Sequence, residues 1–195
     1  MIVAESSCAV SVLNWASVYL KNVVRVIDSS TAAVIFDVDE TLYFPCPCQH
    51  PSPPPDVLRL YHEALQHGFQ IYFITARIHT EVNREQTWNL LHAMGFTKFK
   101  GLFLMPEEYL TYPNASSYKA LLRDAIQREG VNIVLNLGNR FQDLMLLPPF
   151  QIDEEAHETR KELLLLPNNR FFILQVPDVS WVSIKFPTHG CEPWE

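Results

Sequence analysis

Basic residues are in deficit. Fifteen Lys and Arg face 22 Asp and Glu, a formal net charge of -7 over 195 residues. That balance argues against duplex nucleic acid or an anionic membrane as the main partner, though not against a nucleotide or phosphoprotein held in a local pocket. Cysteine is sparse. Four in a chain of this length do not make a disulfide framework. The "CPC" of Cys46 to Cys48 with His50 supplies only three candidate ligands, one short of a structural zinc site, and reads as a plain loop. The seven histidines show no metal-binding spacing. No apolar run approaches the length of a membrane span, and the first residues lack a basic leader and carry Glu5 early. A soluble protein in a reducing, cytoplasmic setting is the expectation. No internal repeat is visible.

Hydrophobic residues are plentiful by contrast, at 48% with 12% aromatic, enough to fill a core. Residues 6–23 place Val10, Leu13, Val18 and Leu20 at helical spacing, so residues 1–29 read as a helix packing on a main domain of residues 30–195. "TAAVIF" at 31–36 reads as a buried strand. Six prolines in the eleven residues 45–55 make a stiff connector. A helix follows from Pro55 to Gly68, then a strand at 70–75, a helix from Thr80 to Met94 and a strand at 101–105. Ser117 can cap a helix carrying Tyr118, Leu121, Leu122 and Ala125, and 131–136 makes a fourth strand. Residues 152–166 read as a charged, then leucine-rich surface helix or loop, and 170–174 as a further strand. Alternating strands and helices predict an α/β fold with a doubly wound parallel sheet.

Ligands of such sheets bind outside the carboxyl ends of the strands. The first strand runs out into Asp37, Asp39 and Thr41. The second ends on Thr75 with Arg77 just beyond. Lys119 opens the helix after the third, and the fourth runs into Asn139 and Asp143. Acids, a hydroxyl and a lysine on one rim suit phosphoryl transfer, in which negative charge on three oxygens must be positioned and neutralised. Carboxylates alone would repel that group, so a divalent cation with oxygen ligands, Mg²⁺, is expected between them. Asp37 can attack phosphorus and Asp39 can move protons, which calls for a raised Asp39 and an ionised Asp37. Arg77 can bind substrate phosphate or pair with a nearby acid. Tyr43 and Phe44 can pack in the core or wall a nucleobase or aryl leaving group. Glu40 reads as a loop-ordering residue or N-cap rather than a catalyst.

"VIFDVDETL", "YFITAR", Lys119 and "IVLNLGNRFQDL" resemble the four ordered motifs of the haloacid dehalogenase (HAD) superfamily, the first in its DxDxT phosphatase form. The pattern is most similar to the class III, subfamily IIIB, acid phosphatases, the group that includes plant vegetative storage proteins. "LPNNRFFIL" resembles their closing segment. The resemblance implies a HAD-like Rossmannoid sheet and a phosphomonoesterase acting through an aspartyl-phosphate. Asp37 is the implied nucleophile and metal ligand, and Asp39 the implied acid/base with its backbone carbonyl on the metal. Thr75 and Lys119 would contact the phosphoryl oxygens, and Asp143 would support the metal. Asn139 departs from the pattern, standing where an aspartate metal ligand is usual. A catalytically weakened phosphate-binding or storage protein is therefore an alternative. A protein phosphatase is another, since "DVDETL" also resembles polymerase-tail phosphatases. About thirty residues separate the first motif from the second strand and about forty separate Thr75 from Lys119. Neither interval has room for a large cap domain, so an open site is expected, roofed at most by the Pro-rich loop, the N-terminal helix or a second subunit of a homo-oligomer.

Overall fold

The computed structural model describes residues 6–43, 53–110, 114–144, 164–167, 172–175 and 181–185. Helix α1 (Ser6–Val23) precedes strand β1 (Ala32–Phe36). After it come α2 (Pro55–Gln66), β2 (Gln70–Ile78), α3 (Glu81–Ala93), β3 (Gly101–Met105), α4 (Asn114–Arg128), β4 (Asn132–Gly138) and the single turn α5 (Phe141–Leu144). Strands β5 (Leu164–Pro167), β6 (Phe172–Gln175) and β7 (Val182–Lys185) complete one sheet of order β3-β2-β1-β4-β7-β6-β5. The five strands from β3 to β7 run parallel. The last two pair antiparallel, adding a hairpin to one edge.

All five residues of β1 are buried, as a central strand covered on both faces requires. Alternate side chains feed two cores. Val34, Phe36, Ile71 and Phe73 meet α1, α2 and α3 through Leu13, Ala16, Leu20, Val57, Leu60, Ala64 and Leu91. Ala33, Ile35, Ile74 and Ile133 meet α4 through Ala115, Tyr118 and Ile126 on the opposite face. Helix α1 is tied to the main body by polar contacts as well. Ser17 donates to Glu63 of α2, and the Tyr19 hydroxyl donates to the Val134 carbonyl at 3.2 Å. Among the described residues, no helix is long and apolar enough to cross a membrane.

Four local expectations change. Helix α4 begins at Asn114, so Ser117 lies inside it and is not its cap. Leu164–Pro167 is a strand rather than part of a surface helix or loop, because its leucines pair with β6. Strand β7 had no counterpart in the sequence reading; Val182 and Ile184 alternate into the core beside β4. Strand β2 runs three residues past Thr75. Its register against β3 jumps between Thr75↔Leu104 and Ile78↔Met105, leaving Ala76 and Arg77 as a bulge. Bulges re-aim side chains at strand ends, and this one turns Arg77 toward Asp39 beyond the end of β1. Phe44, the "CPC" stretch with His50, and residues 152–163 lie outside the described residues.

Candidate active site

The carboxyl ends of β1, β2 and β4 lie side by side. The Asp37 backbone N–H donates to the Leu137 carbonyl at 2.9 Å, so the first motif leaves the sheet as a continuation of the β1–β4 pairing. Past it, Val38 accepts from the Leu42 N–H at 3.0 Å, closing a tight turn. That turn carries Asp39, Glu40 and Thr41 out of the sheet plane and separates three acids that are adjacent in sequence.

Asp37 sits at the centre and is 6% exposed. Its Oδ1 accepts from Lys119 Nζ at 2.5 Å and its Oδ2 from the Thr41 hydroxyl at 2.9 Å. The same Lys119 ammonium donates to Asp143 Oδ1 at 2.6 Å. Asp143 Oδ2 accepts from the Arg140 backbone N–H at 2.8 Å. Gly138 makes this approach possible: a Cβ there would fall 2.4 Å from Asp143 Cβ. One turn of α4 beyond Lys119, the buried Arg123 donates to the Asp143 carbonyl oxygen at 2.6 Å, and Asn136 Nδ2 donates to it at 3.0 Å. Burial pushes the Asp37 carboxyl up to about 7, and Asp143 adds to the rise against the pull of Lys119. Burial alone would lower Lys119, but the two carboxylates more than compensate and raise it. Burial brings Arg123 down to about 10.

Asp39 belongs to a second cluster. Arg77 grips it with Nη2 at 2.7 Å from Oδ1 and Nε at 2.9 Å from Oδ2. The Tyr43 hydroxyl donates to Asp39 Oδ1 at 2.9 Å, and the Thr75 hydroxyl to Oδ2 at 3.3 Å. Arg77 also contacts the Tyr43 hydroxyl and donates through Nη1 to Thr87 of α3 at 3.0 Å. Burial would raise Asp39, yet the Arg77 guanidinium and its companions hold it below the ordinary carboxylate range. Tyr43 is pushed up to about 12 by burial and by Asp39. The two aspartates are thus shifted apart, but opposite to what their assigned roles call for: the nucleophile is raised and the acid/base lowered. The cause is the partner each meets. Asp37 shares one ammonium with a second buried carboxylate, whereas among the described residues Asp39 is the one carboxylate paired with the Arg77 guanidinium.

All the described residues assigned to the site from sequence gather on this rim. Tyr43 packs its ring into the core and offers the rim its hydroxyl. Arg77 pairs with an acid. Asn139 is buried, and its Nδ2 donates to Glu40 Oε2 at 2.6 Å. The sequence reading missed Thr87, Asn136, Gly138 and Arg123. Only Arg123 carried a usable signal, four residues after Lys119 on the same helix face.

Among the described residues, no three His, Cys, Asp or Glu side chains gather as a metal cluster. The ligands assigned from the sequence are the Asp37 and Asp143 carboxylates, the Asn139 amide and the carbonyl at Asp39. Every one can offer oxygen, which fits a small hard cation rather than zinc or copper.

Known proteins share this fold and parts of this sequence. The Bacillus anthracis class C acid phosphatase superposes with a TM-score of 0.60 at 14% identity, covering 83% of this chain and 74% of that one, which establishes a HAD-like fold. A soybean stem 31 kDa glycoprotein is 30% identical over 138 residues, 70% of this chain and 50% of its own length. Tomato acid phosphatase 1 is 34% identical over 88 residues, 45% of this chain and 33% of its own. Arabidopsis vegetative storage protein 1 is 29% identical over 124 residues, 61% and 38% respectively. The chain therefore spans half or less of the length of these curated relatives. A family model matches residues 47–174, nearly two thirds of the chain, and by that match the chain belongs to the HAD superfamily, subfamily IIIB (acid phosphatase).

Proposed function

We propose that this chain is a Mg²⁺-dependent phosphomonoesterase that works through an aspartyl-phosphate on Asp37. The observation that carries the reading is the buried bridge of Lys119 between Asp37 and Asp143, at 2.5 and 2.6 Å. An ammonium held against the nucleophile from inside the protein neutralises incoming phosphate charge without blocking the outer face. Mg²⁺, when bound, would be held by the Asp37 and Asp143 carboxylates, the Asn139 amide oxygen and the Asp39 carbonyl, and would offset charge on the phosphoryl oxygens.

The protein's own residues account for the two half-reactions. An Asp37 oxygen forms a bond to phosphorus while the bond from phosphorus to the leaving oxygen breaks, and Asp39 gives its proton to that oxygen. Asp39, now a carboxylate, takes a proton from water whose oxygen attacks phosphorus. The Asp37–phosphorus bond breaks, inorganic phosphate departs, Asp37 is a carboxylate again, and Asp39 gives its proton up to solvent as Arg77 closes on it. Arg77 keeps Asp39 ionised in the resting site, the form needed for the second step. A phosphate oxygen is a competing acceptor for the same guanidinium fork, so substrate binding loosens the pair and lets Asp39 carry a proton for the first step. Thr75 and Lys119 steady the transferred group.

Release of phosphate from an aryl phosphate is expected to need Mg²⁺ and to be abolished in Asp37→Asn. Full turnover in that variant would sink the reading. A second reading has support in the lowered Asp39, in Asn139 and in the storage-protein name of one relative: a phosphate-binding protein with little turnover. Phosphate binding by calorimetry at saturating Mg²⁺, with hydrolysis no faster than in buffer, would favour it.

A further inference from the structure

Residue 139 is an amide where the family pattern calls for a carboxylate, and its side chain is bonded to the turn that follows the first strand. Asn139 Nδ2 and Glu40 Oε2 lie 2.6 Å apart, across 99 residues of chain. An ionised carboxylate has only acceptors. The amide atom facing Glu40 must therefore be the nitrogen, and the carbonyl Oδ1 is turned away from it. That orientation decides whether residue 139 can ligate at all, because a carboxamide has one oxygen for a hard cation and a flip would replace it with an NH₂ group. A second observation concerns Glu40 itself. Its φ is 58°, and among the described residues no other non-glycine has a positive φ. A residue with a side chain adopts that conformation only when its surroundings hold it there, and such residues cluster at functional sites.

We propose that Glu40 is a positioning residue, which orients the Asn139 amide so that Oδ1 is presented as a neutral oxygen ligand for the divalent cation. The amide can then replace the family's aspartate because a second acid, outside the coordination sphere, fixes its direction. Outer partners of this kind orient ligating groups and tune metal affinity. The inference rests on the metal-dependent reading above, but its test reads binding and not turnover.

Mg²⁺ affinity is measured by calorimetry on the full chain as wild type, Glu40→Ala, Asn139→Ala, the double variant and Glu40→Gln. Glu40→Ala should weaken binding by about 10-fold. Asn139→Ala should weaken it at least as much, and the double variant no further, since Glu40 acts through Asn139. Glu40→Gln, whose side-chain oxygen can accept the same N–H, should recover most of the affinity. Losses that add in the double variant, or a Gln variant as weak as Ala, would show that Glu40 acts by charge alone and would overturn the proposal. So would a Glu40→Ala protein with a lower melting temperature and unchanged affinity, which would make Glu40 a loop-ordering residue only. A coupled cycle in a protein without phosphatase activity would uphold the proposal and remove the phosphatase reading; an additive cycle in an active enzyme would do the reverse. Wild type that binds no Mg²⁺ would end both.

Discussion

The rim holds two charge clusters built on different terms. Where β1 meets β4, the side chains of Asp37, Lys119 and Asp143 are 7%, 2% and 2% exposed, and Arg123 is 3% exposed. Two carboxylates and two cations balance one another away from water. Where β1 meets β2, Asp39 and Arg77 balance one to one but keep 42% and 22% of their side-chain exposure. Burial sets the contrast. An ion pair out of water holds its partners because either alone would be an uncompensated charge, whereas one in contact with water can trade a partner for solvent or ligand. The inner cluster is a fixed frame around Asp37. The outer one, in contact with water, is the part that can exchange a partner.

The largest effect should come from the centre of the frame. Asp37→Asn is expected to lower turnover of an aryl phosphate by on the order of 10⁶-fold, the scale of removing a nucleophile. Lys119→Met leaves two buried carboxylates without their ammonium, and urea denaturation should show a loss of about 3–5 kcal/mol. Arg77→Met breaks the outer pair and should cost under about 1 kcal/mol by the same measurement. Equal costs for these two variants would erase the distinction between frame and exchangeable pair.

Proton linkage sharpens the comparison, because the two aspartates are shifted in opposite directions. The folded pKa of Asp37 is raised to about 7. Its favourable contribution is complete below the unfolded carboxylate value of about 3.9 and is lost as pH rises through 7. With divalent cations chelated, Asp37→Asn should therefore melt above wild type at pH 8, and the gap should close near pH 4. The folded pKa of Asp39 is lowered, so its contribution is present above the unfolded value and is lost as pH falls through the folded one. The stability difference between wild type and Arg77→Met should accordingly shrink on acidification. The smallest effect belongs to the surface pair of Arg128 and Asp124, where Arg128 is 78% exposed. Arg128→Ala should leave the melting temperature unchanged, as the control for both clusters.

The parts of the fold that were legible in sequence are those set by local pattern. Residues 31–36 read as a buried strand because their apolar run suits a strand covered on both faces. Gly68 marked a helix end and adopts a positive φ there, as Gly95 and Gly130 do after the next two long helices. Strand β7 was illegible because its short alternating run acquires meaning only beside β4. The β2 bulge was equally hidden: "TAR" does not show that Ala76 and Arg77 have no counterpart on β3. Among site residues, Asp37, Asp39, Thr75, Lys119, Asn139 and Asp143 could be placed by strand-end logic and motif spacing. Asn136, Thr87 and Gly138 could not, since each acts on a neighbour brought to it by packing.

The sequence by itself determined which chemistry is available: two aspartates after an apolar strand, a hydroxyl, a lysine and an acid in the order of alternating elements. Periodicity and turn residues are short-range properties, and they suffice to bring strand ends to one rim. Only the tertiary structure decided how the charges are shared. Lys119 lies between Asp37 and Asp143, Arg77 closes on Asp39, and Glu40 turns to Asn139. Those pairings set the direction of each pKa shift, because desolvation and Coulomb interactions depend on distance through space and not on separation along the chain.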